Sequence, residues 1–173
     1  MDKDALRDKI VSWLIDEDHE VKSEPIPPGA PLEWVLSVTA KVPPVIAKII
    51  VQQPSTKKDR IIMTLGVMVS AEHRNKLNSL KPADRISVFS EIIKTIYSIC
   101  PDCVVVIQPS PVDAQNIIVT KILYHEELNR VVVASNIRKL VNILSVISTI
   151  LNANLGITPK PQKRDEGFPT SFM

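Results

Sequence analysis

Three strand-like runs with short connections between them occupy residues 33–70, and they constrain the fold more than any other feature. The runs read "EWVLSVTAKV", "IAKIIVQQ" and "RIIMTLGVMVS", and the polar turn "PSTKKD" separates the last two. In the first run apolar and polar side chains alternate, which is the period of a strand with one buried face. Parallel neighbours need a crossover of about a dozen residues. The short connections therefore predict an antiparallel meander.

Helical spacing of apolar residues surrounds this meander. It predicts helices over residues 2–17, 71–80 and 82–99. Ser70 stands in the N-cap position of the second helix, and Pro82 suits the first turn of the third. The first helix should end at its acidic residues, because carboxylates oppose the negative pole of the helix dipole.

Two more strands and a long helix complete the chain. "CVVVIQP" and "QNIIVTKILYH" are predicted strands, and a helix is predicted from near Glu127 to Gly156. The order α-β-β-β-α-α-β-β-α predicts an α+β fold with a single antiparallel sheet and helices mainly on one face.

Residues 1–156 are predicted to form one domain, which is long enough to enclose a core. Residues 157–173 contain proline and charge without periodicity, so we expect a disordered tail. No apolar stretch reaches the ~18 residues of a membrane span. The charged first residues do not look like a secretory signal, so we expect a cytoplasmic protein.

The element order resembles the fold of type III secretion chaperones and of related small bacterial and archaeal domains. "IVSWLIDEDHEV" is similar to the opening helix-to-strand passage of that group, and "VSAEHRNKLNSLKPADRISVFSEI" is similar to its strand-to-helix passage. The likeness covers roughly residues 3–155. The resemblance implies a protein that binds partner polypeptides without catalysing a reaction, and it supplies no site residues.

The only two cysteines, Cys100 and Cys103, form a C-x-x-C between a predicted helix and strand. A redox pair needs a stabilised thiolate, but Cys100 would lie at the negative end of a helix and beside Asp102. The interpretation favoured here is two small buried residues at a helix-to-strand corner. A structural disulfide remains open, because intracellular proteins of hyperthermophiles contain them, and the few glycines and many isoleucines fit such an organism.

A zinc site is the remaining interpretation of the cysteines. It needs four ligands, and the chain offers one cysteine pair plus His19, His73 and His125 on three separate elements. Such a site would have to be shared between two copies of the chain. We therefore expect neither a bound metal nor a cofactor.

Signatures of catalysis are absent from the sequence. The four glycines are isolated, so there is no phosphate-binding loop and no dinucleotide fingerprint. His125 adjoins Glu126 and Glu127, but adjacent residues at a helix start do not face each other. We expect a protein that is not an enzyme.

The charge pattern suggests an alternative function. Lys57, Lys58 and Arg60 form a basic turn, and the tail carries the basic stretch "KPQKR". These groups could serve a nucleic-acid-associated accessory protein. The net charge of only +2 and the aromatic fraction of 4% argue against it, because few rings are available to stack on bases.

The last helix carries the predicted partner contact. No charged residue occurs from Leu140 to Pro159. Opposite its apolar side lies a set of neutral polar residues, the neutral face: Asn142, Ser145, Ser148, Thr149 and Asn152. Neutral polar groups suit a contact in which charge would be desolvated. An ordinary exposed face that happens to be neutral is the alternative, since Ser, Thr and Asn are mostly exposed residues. The contact interpretation favours a protein-binding domain that self-associates as a dimer, and the resemblance implies that it is non-catalytic and chaperone-like.

Overall fold

The structure is a computed structural model that describes residues 3–157. The expected disorder of the tail and its basic stretch concern residues outside this range. Within it, four α-helices, six strands and one 3₁₀ turn follow in the order α1 (Lys3–Ile15), β1 (Glu20–Glu24), β2 (Leu32–Val42), β3 (Val45–Pro54), β4 (Arg60–Met68), α2 (Ala71–Ser79), α3 (Pro82–Ile99), β5 (Val104–Gln108), β6 (Asn116–Tyr124), the 3₁₀ turn His125–Glu127 and α4 (Arg130–Leu155). The predicted α+β fold is confirmed.

All six strands belong to one antiparallel sheet with the order β1-β2-β3-β4-β6-β5. The meander predicted from the short connections is therefore confirmed. Strands β2 and β3 are joined by Pro43 and Pro44 alone, with a cis bond between them. The β5–β6 hairpin returns so that β6 lies beside β4, which leaves β5 at the edge.

Strand β1 is absent from the predicted order. Its sequence, "EVKSE", has no apolar alternation, and Val21 is its one apolar residue. The strand forms because its backbone pairs with β2 over Glu20–Glu24. Pairing of this kind depends on the neighbouring strand, so the composition of β1 gives little sign of it.

The helices lie on one face of the sheet. Helix α4 packs across β2, β3 and β4, and the other three helices contact α4. The sheet side chains beneath them are buried and form the inner face, with Ile49, Met63, Leu65 and Ile117 all at 1% exposure or less. The core of the molecule therefore lies between α4 and the centre of the sheet.

The ends of α1 and α4 differ slightly from the predicted ones. Helix α1 ends at Ile15, before the acidic residues, of which Glu17 pairs with Arg130 and Arg138 of α4. Helix α4 begins at Arg130, three residues later than predicted, because the side chain of Asn129 accepts a hydrogen bond from the Val132 amide and caps the helix there.

Candidate functional site on the open face of the sheet

The side of the sheet opposite the helices is uncovered by any described element and carries many apolar side chains. Seven of them define what we call the open face: Ile50, Ile62, Met68, Val104, Val106, Ile118 and Ile122. Met68 is 53% exposed and Val104 is 51% exposed, while the four isoleucines are half-buried by their neighbours in the sheet. Contiguous exposed apolar surface typically marks an interaction site.

The strand register makes the open face continuous. Ile62 lies directly opposite Ile122, and Val106 lies opposite Ile118. Directly opposed residues of antiparallel strands project to the same side with their Cβ atoms ~5 Å apart. The open face therefore extends across β4, β6 and β5, with the opposed Thr64 and Thr120 between its two apolar rows.

Charge is concentrated away from the centre of this surface. The outward positions of β4, β5 and β6 carry one charged side chain, Arg60, at the end of β4. Its guanidinium is 2.7 Å from the Asp59 carboxylate and 4.8 Å from the centre of the Tyr124 ring. On the opposite edge of the sheet, every outward position of β1 is charged. Lys48 of β3 and Lys41 of β2 also lie on this side of the sheet, so charge increases from β3 toward the β1 edge.

Gly66 produces a recess in the middle of the open face. It lies on β4 opposite Ile118. A Cβ built at this position meets no atom within 4 Å. The surface around Gly66 therefore has unfilled space next to the Ile118 side chain.

The open face was not predicted from the sequence, although the sequence contains a signal for it. The strands "RIIMTLGVM" and "NIIVTKILY" are nearly continuous apolar runs, with little of the alternation seen in β2. Continuous runs are typical of strands that are buried on both sides. That pattern indicates a second covering layer as well as the helices.

The five residues of the neutral face of α4 differ in their exposure to solvent. Asn142, Ser145 and Thr149 are exposed, whereas Ser148 and Asn152 are half-buried. The Asn152 Oδ1 atom is 2.9 Å from a ring nitrogen of His73, which ties α4 to α2. The Thr149 hydroxyl donates to the Ser145 carbonyl within the helix. Two of the five residues are thus already in intramolecular contacts, and the role of the other three stays a prediction.

Cys100 and Cys103 form a disulfide bond at the corner between α3 and β5. Both residues are buried, at 0% and 4% exposure. The favoured interpretation, two small buried residues at a corner, gave the position and burial of the cysteines correctly but did not include a bond between them. The structure has the disulfide, which was the alternative left open.

An ion pair supports this corner. The buried ammonium of Lys121, on the inner face of β6, donates to the carboxylate of Asp102 between the two cysteines. This hydrogen bond from Lys121 is the main reason that the pKa of the Asp102 carboxyl lies below its ordinary value. The pair anchors the corner to the sheet.

The three histidines lie apart from the cysteines. The Nδ1 atom of His19 accepts a hydrogen bond from the Lys41 amide, and a ring nitrogen of His125 lies 3.3 Å from the Gln53 amide nitrogen. Burial lowers the pKa of both imidazoles. Each histidine is therefore part of a separate local packing arrangement.

Among the described residues, one group has ligand atoms close enough to hold a metal: Cys100, Asp102 and Cys103, within 4.8 Å of one another. Zinc binds cysteine as the thiolate. While the two sulfurs are bonded to each other, they do not fit a zinc site. A zinc shared between two copies would require the disulfide to be reduced first.

The basic turn predicted for the alternative function is largely neutralised. Lys58 pairs with Glu33 at 3.2 Å, and Arg60 pairs with Asp59. Lys and Arg side chains bind nucleic acid by neutralising phosphates, which releases the counterions condensed on the nucleic acid. The structure thus offers little support for nucleic-acid binding at this turn.

A shallow cavity of about 240 Å³ lies between α2 and the loop before β6. Its lining includes Arg74 and Asp113, and both side chains are exposed. Small-molecule sites usually enclose their ligand and bury the few polar groups that orient it. The charged side chains of this cavity face solvent, so it is a weaker candidate than the open face.

Helix α4 is long and apolar enough to cross a membrane, judged by length and composition alone. Ten of its residues are buried in the fold, including Ile137, Leu140 and Ile147. Core helices commonly have such a composition, and the contacts of α4 with the sheet account for it.

The comparisons with known proteins show the family and support the fold. A crystal structure of an uncharacterized protein from Methanothermobacter thermautotrophicus matches with a TM-score of 0.73 at 17% sequence identity, covering 87% of this chain and 99% of that one. No curated protein matches. The family model described as "Uncharacterized conserved protein (DUF2299)" matches residues 6–151. The chain therefore belongs to this family.

Proposed function

We propose that this protein is a non-catalytic protein-binding domain and that the open face is its binding surface. The observation that carries the proposal is the uncharged, partly exposed apolar surface across β4, β6 and β5. Burying apolar surface contributes roughly 25 cal/mol per Å² to association. The buried centre of protein interfaces is also depleted in charge, as this surface is.

The open face is a stronger candidate than the neutral face of α4. The exposed residues of the neutral face are small and polar, and the Thr149 hydroxyl already bonds within the helix. Such groups gain little on contact, because they exchange hydrogen bonds with water for similar ones. Exposed Met68, Val104 and Val106 gain through loss of apolar surface to water.

The surroundings of the reactive residues support a non-catalytic role. A nucleophile or general base needs an oriented partner. The imidazole of His125 lies against the Gln53 amide instead of a carboxylate, and both cysteine sulfurs are bonded. A cytoplasmic location is part of the proposal, since disulfides persist inside hyperthermophile cells.

Capture of partners by immobilised protein tests the proposal. Ile118→Lys places a charge in the open face, and Ser145→Lys places the same charge on the neutral face. We expect a polypeptide that is retained by the wild type and by Ser145→Lys but lost from Ile118→Lys. A polypeptide lost from Ser145→Lys and retained by Ile118→Lys would place the binding surface on α4 and contradict the proposal.

A further inference from the structure

We infer that the occupant of the open face is a second copy of this chain, packed sheet against sheet about a two-fold axis. The inference rests on the proposed function, because it identifies the partner that binds the same surface. Three properties of the open face carry it: its charge, its area and its shape.

The charge distribution of the open face suits contact with itself. In a two-fold interface the same patch lies on both sides, so any unpaired charge meets or approaches its own copy. Of the four strands that carry the open face, β4, β5 and β6 hold one outward charge, Arg60, which is paired with Asp59, and β3 holds a second, Lys48, at the margin of the patch. A patch that would be recognised by a partner of opposite charge would need several unpaired charges of one sign.

The dimensions of the open face come close to what a stable dimer needs. The open face lies on β3, β4, β6 and β5, four neighbouring strands of 10, 9, 9 and 5 residues. Strands ~4.8 Å apart with a rise of ~3.3 Å per residue give a projected area of roughly 520 Å². A standard interface takes about 800 Å² of accessible surface from each partner, and side chains make the accessible area larger than the projection.

The shape of the open face suits packing against another sheet. Facing sheets lie ~10 Å apart and their side chains interdigitate. Ile62, Ile118 and Ile122 form ridges, and the recess at Gly66 is free of other atoms within 4 Å of a Cβ. A side chain from the second copy fills this recess. The ridges of the two copies then interdigitate and reach the packing density of a protein interior.

The tail of the same chain is a weaker occupant. It continues from Ile157, which packs against the core at the end of α4, on the side of the sheet that the helices cover. Five of the sixteen residues at positions 158–173 are charged. Charged side chains would lose hydration against the uncharged open face without gaining a partner.

Sedimentation of the full chain over a range of concentrations tests the inference. The test variant is Gly66→Lys, because the open space at Gly66 accommodates a side chain in one copy while the charge would be buried between two. Ser145→Lys is the matched control, and far-ultraviolet spectra check that both are folded. We expect dimers for the wild type and the control, and an increase of at least ~100-fold in the dissociation constant for Gly66→Lys, as for an uncompensated buried charge.

Two results would overturn the inference. One is a wild-type protein that stays monomeric at all concentrations; the open face could then still bind another protein, and the capture experiment with Ile118→Lys would decide that separately. The other is a dimer that survives Gly66→Lys but is lost in Phe168→Ala/Phe172→Ala, which would assign self-association to the tail.

Discussion

The two faces of the sheet are made by the same strands and contain similar residues, but only one face is covered. Ile117 on the inner face is fully buried beneath the helices, whereas its neighbour Ile118 on the open face is only half-buried. In β4 the same contrast holds between Ile61 and Ile62. Strands with apolar residues on both sides are typical of a sheet between two layers. The comparison therefore supports the proposal that another polypeptide supplies the second layer.

The largest expected effect is a difference in stability between substitutions on the two faces of the sheet. Ile117→Ala should lower the free energy of unfolding by about 2–5 kcal/mol, because it leaves a cavity in the packed core. Ile118→Ala should lower it by less than about 1 kcal/mol in dilute solution, because no layer packs on that side of one copy. Chemical denaturation at low protein concentration measures both.

At high protein concentration, the same two variants should also differ in self-association. There, Ile118→Ala should weaken self-association, while Ile117→Ala should change it little once folding is complete. Equal losses of unfolding free energy for the two variants at low concentration would mean that the open face is covered within a single copy.

A smaller effect is expected at the disulfide corner, which belongs to the covered side. Cys100→Ser/Cys103→Ser should lower the free energy of unfolding by about 2 kcal/mol, the loop-entropy estimate for a bond that closes so short a loop. Partner binding and dimerisation should be unchanged, because both cysteines are buried away from the open face. Stoichiometric zinc in the purified wild type, lost on Cys100→Ser, would contradict a structural disulfide.

The Asp102–Lys121 pair should contribute less, about 1–2 kcal/mol, because the Asp102 side chain is 66% exposed and screened while the ammonium is buried. The folded state lowers the pKa of Asp102 below the ordinary value of 3.8. The carboxylate therefore stabilises the fold above pH ~4, and this contribution disappears as pH falls through the lower, folded-state pKa. The stability difference between wild type and Asp102→Asn should be constant near neutral pH and should vanish in strong acid. A difference that grows on acidification would show that another group is responsible.

The smallest effect is expected on the neutral face of α4. Ser145→Glu/Thr149→Lys places an i, i+4 ion pair on exposed helix positions, so the stability should change by no more than about 0.5 kcal/mol. Sedimentation should give the wild-type mass. A double variant that stays folded but loses mass would move the self-association surface from the open face to α4, as the sequence suggested.

Much of the fold was accessible from the sequence because its signals are local. The alternation of β2, the short connections and the N-cap at Ser70 each depend on a few neighbouring residues, and the structure confirms them. Strand β1 was not accessible, because it forms through pairing with β2 and its own residues are mostly charged. The position of β6 between β4 and β5 depends on contacts far apart in sequence.

The candidate site was less accessible than the fold. An exposed apolar surface is created by the absence of a covering layer, which no single strand encodes. Ile62 and Ile122 are sixty residues apart in the chain and become neighbours only through the register of β4 and β6. The absence of charge in α4 from Leu140 onward was a real pattern, but much of it reflects the burial of residues such as Ile143 and Ile147 against the sheet.

Thiol labelling tests the occupation of the open face most directly. Both native cysteines are in the disulfide, so Val106→Cys and Ser145→Cys each provide a single free thiol, on the open face and on the neutral face respectively. As the protein concentration rises, the maleimide labelling rate of Val106→Cys should fall in proportion to the fraction of monomer, while that of Ser145→Cys should stay constant. A constant rate for Val106→Cys, with or without slowing at Ser145→Cys, would contradict a second copy packed on the open face.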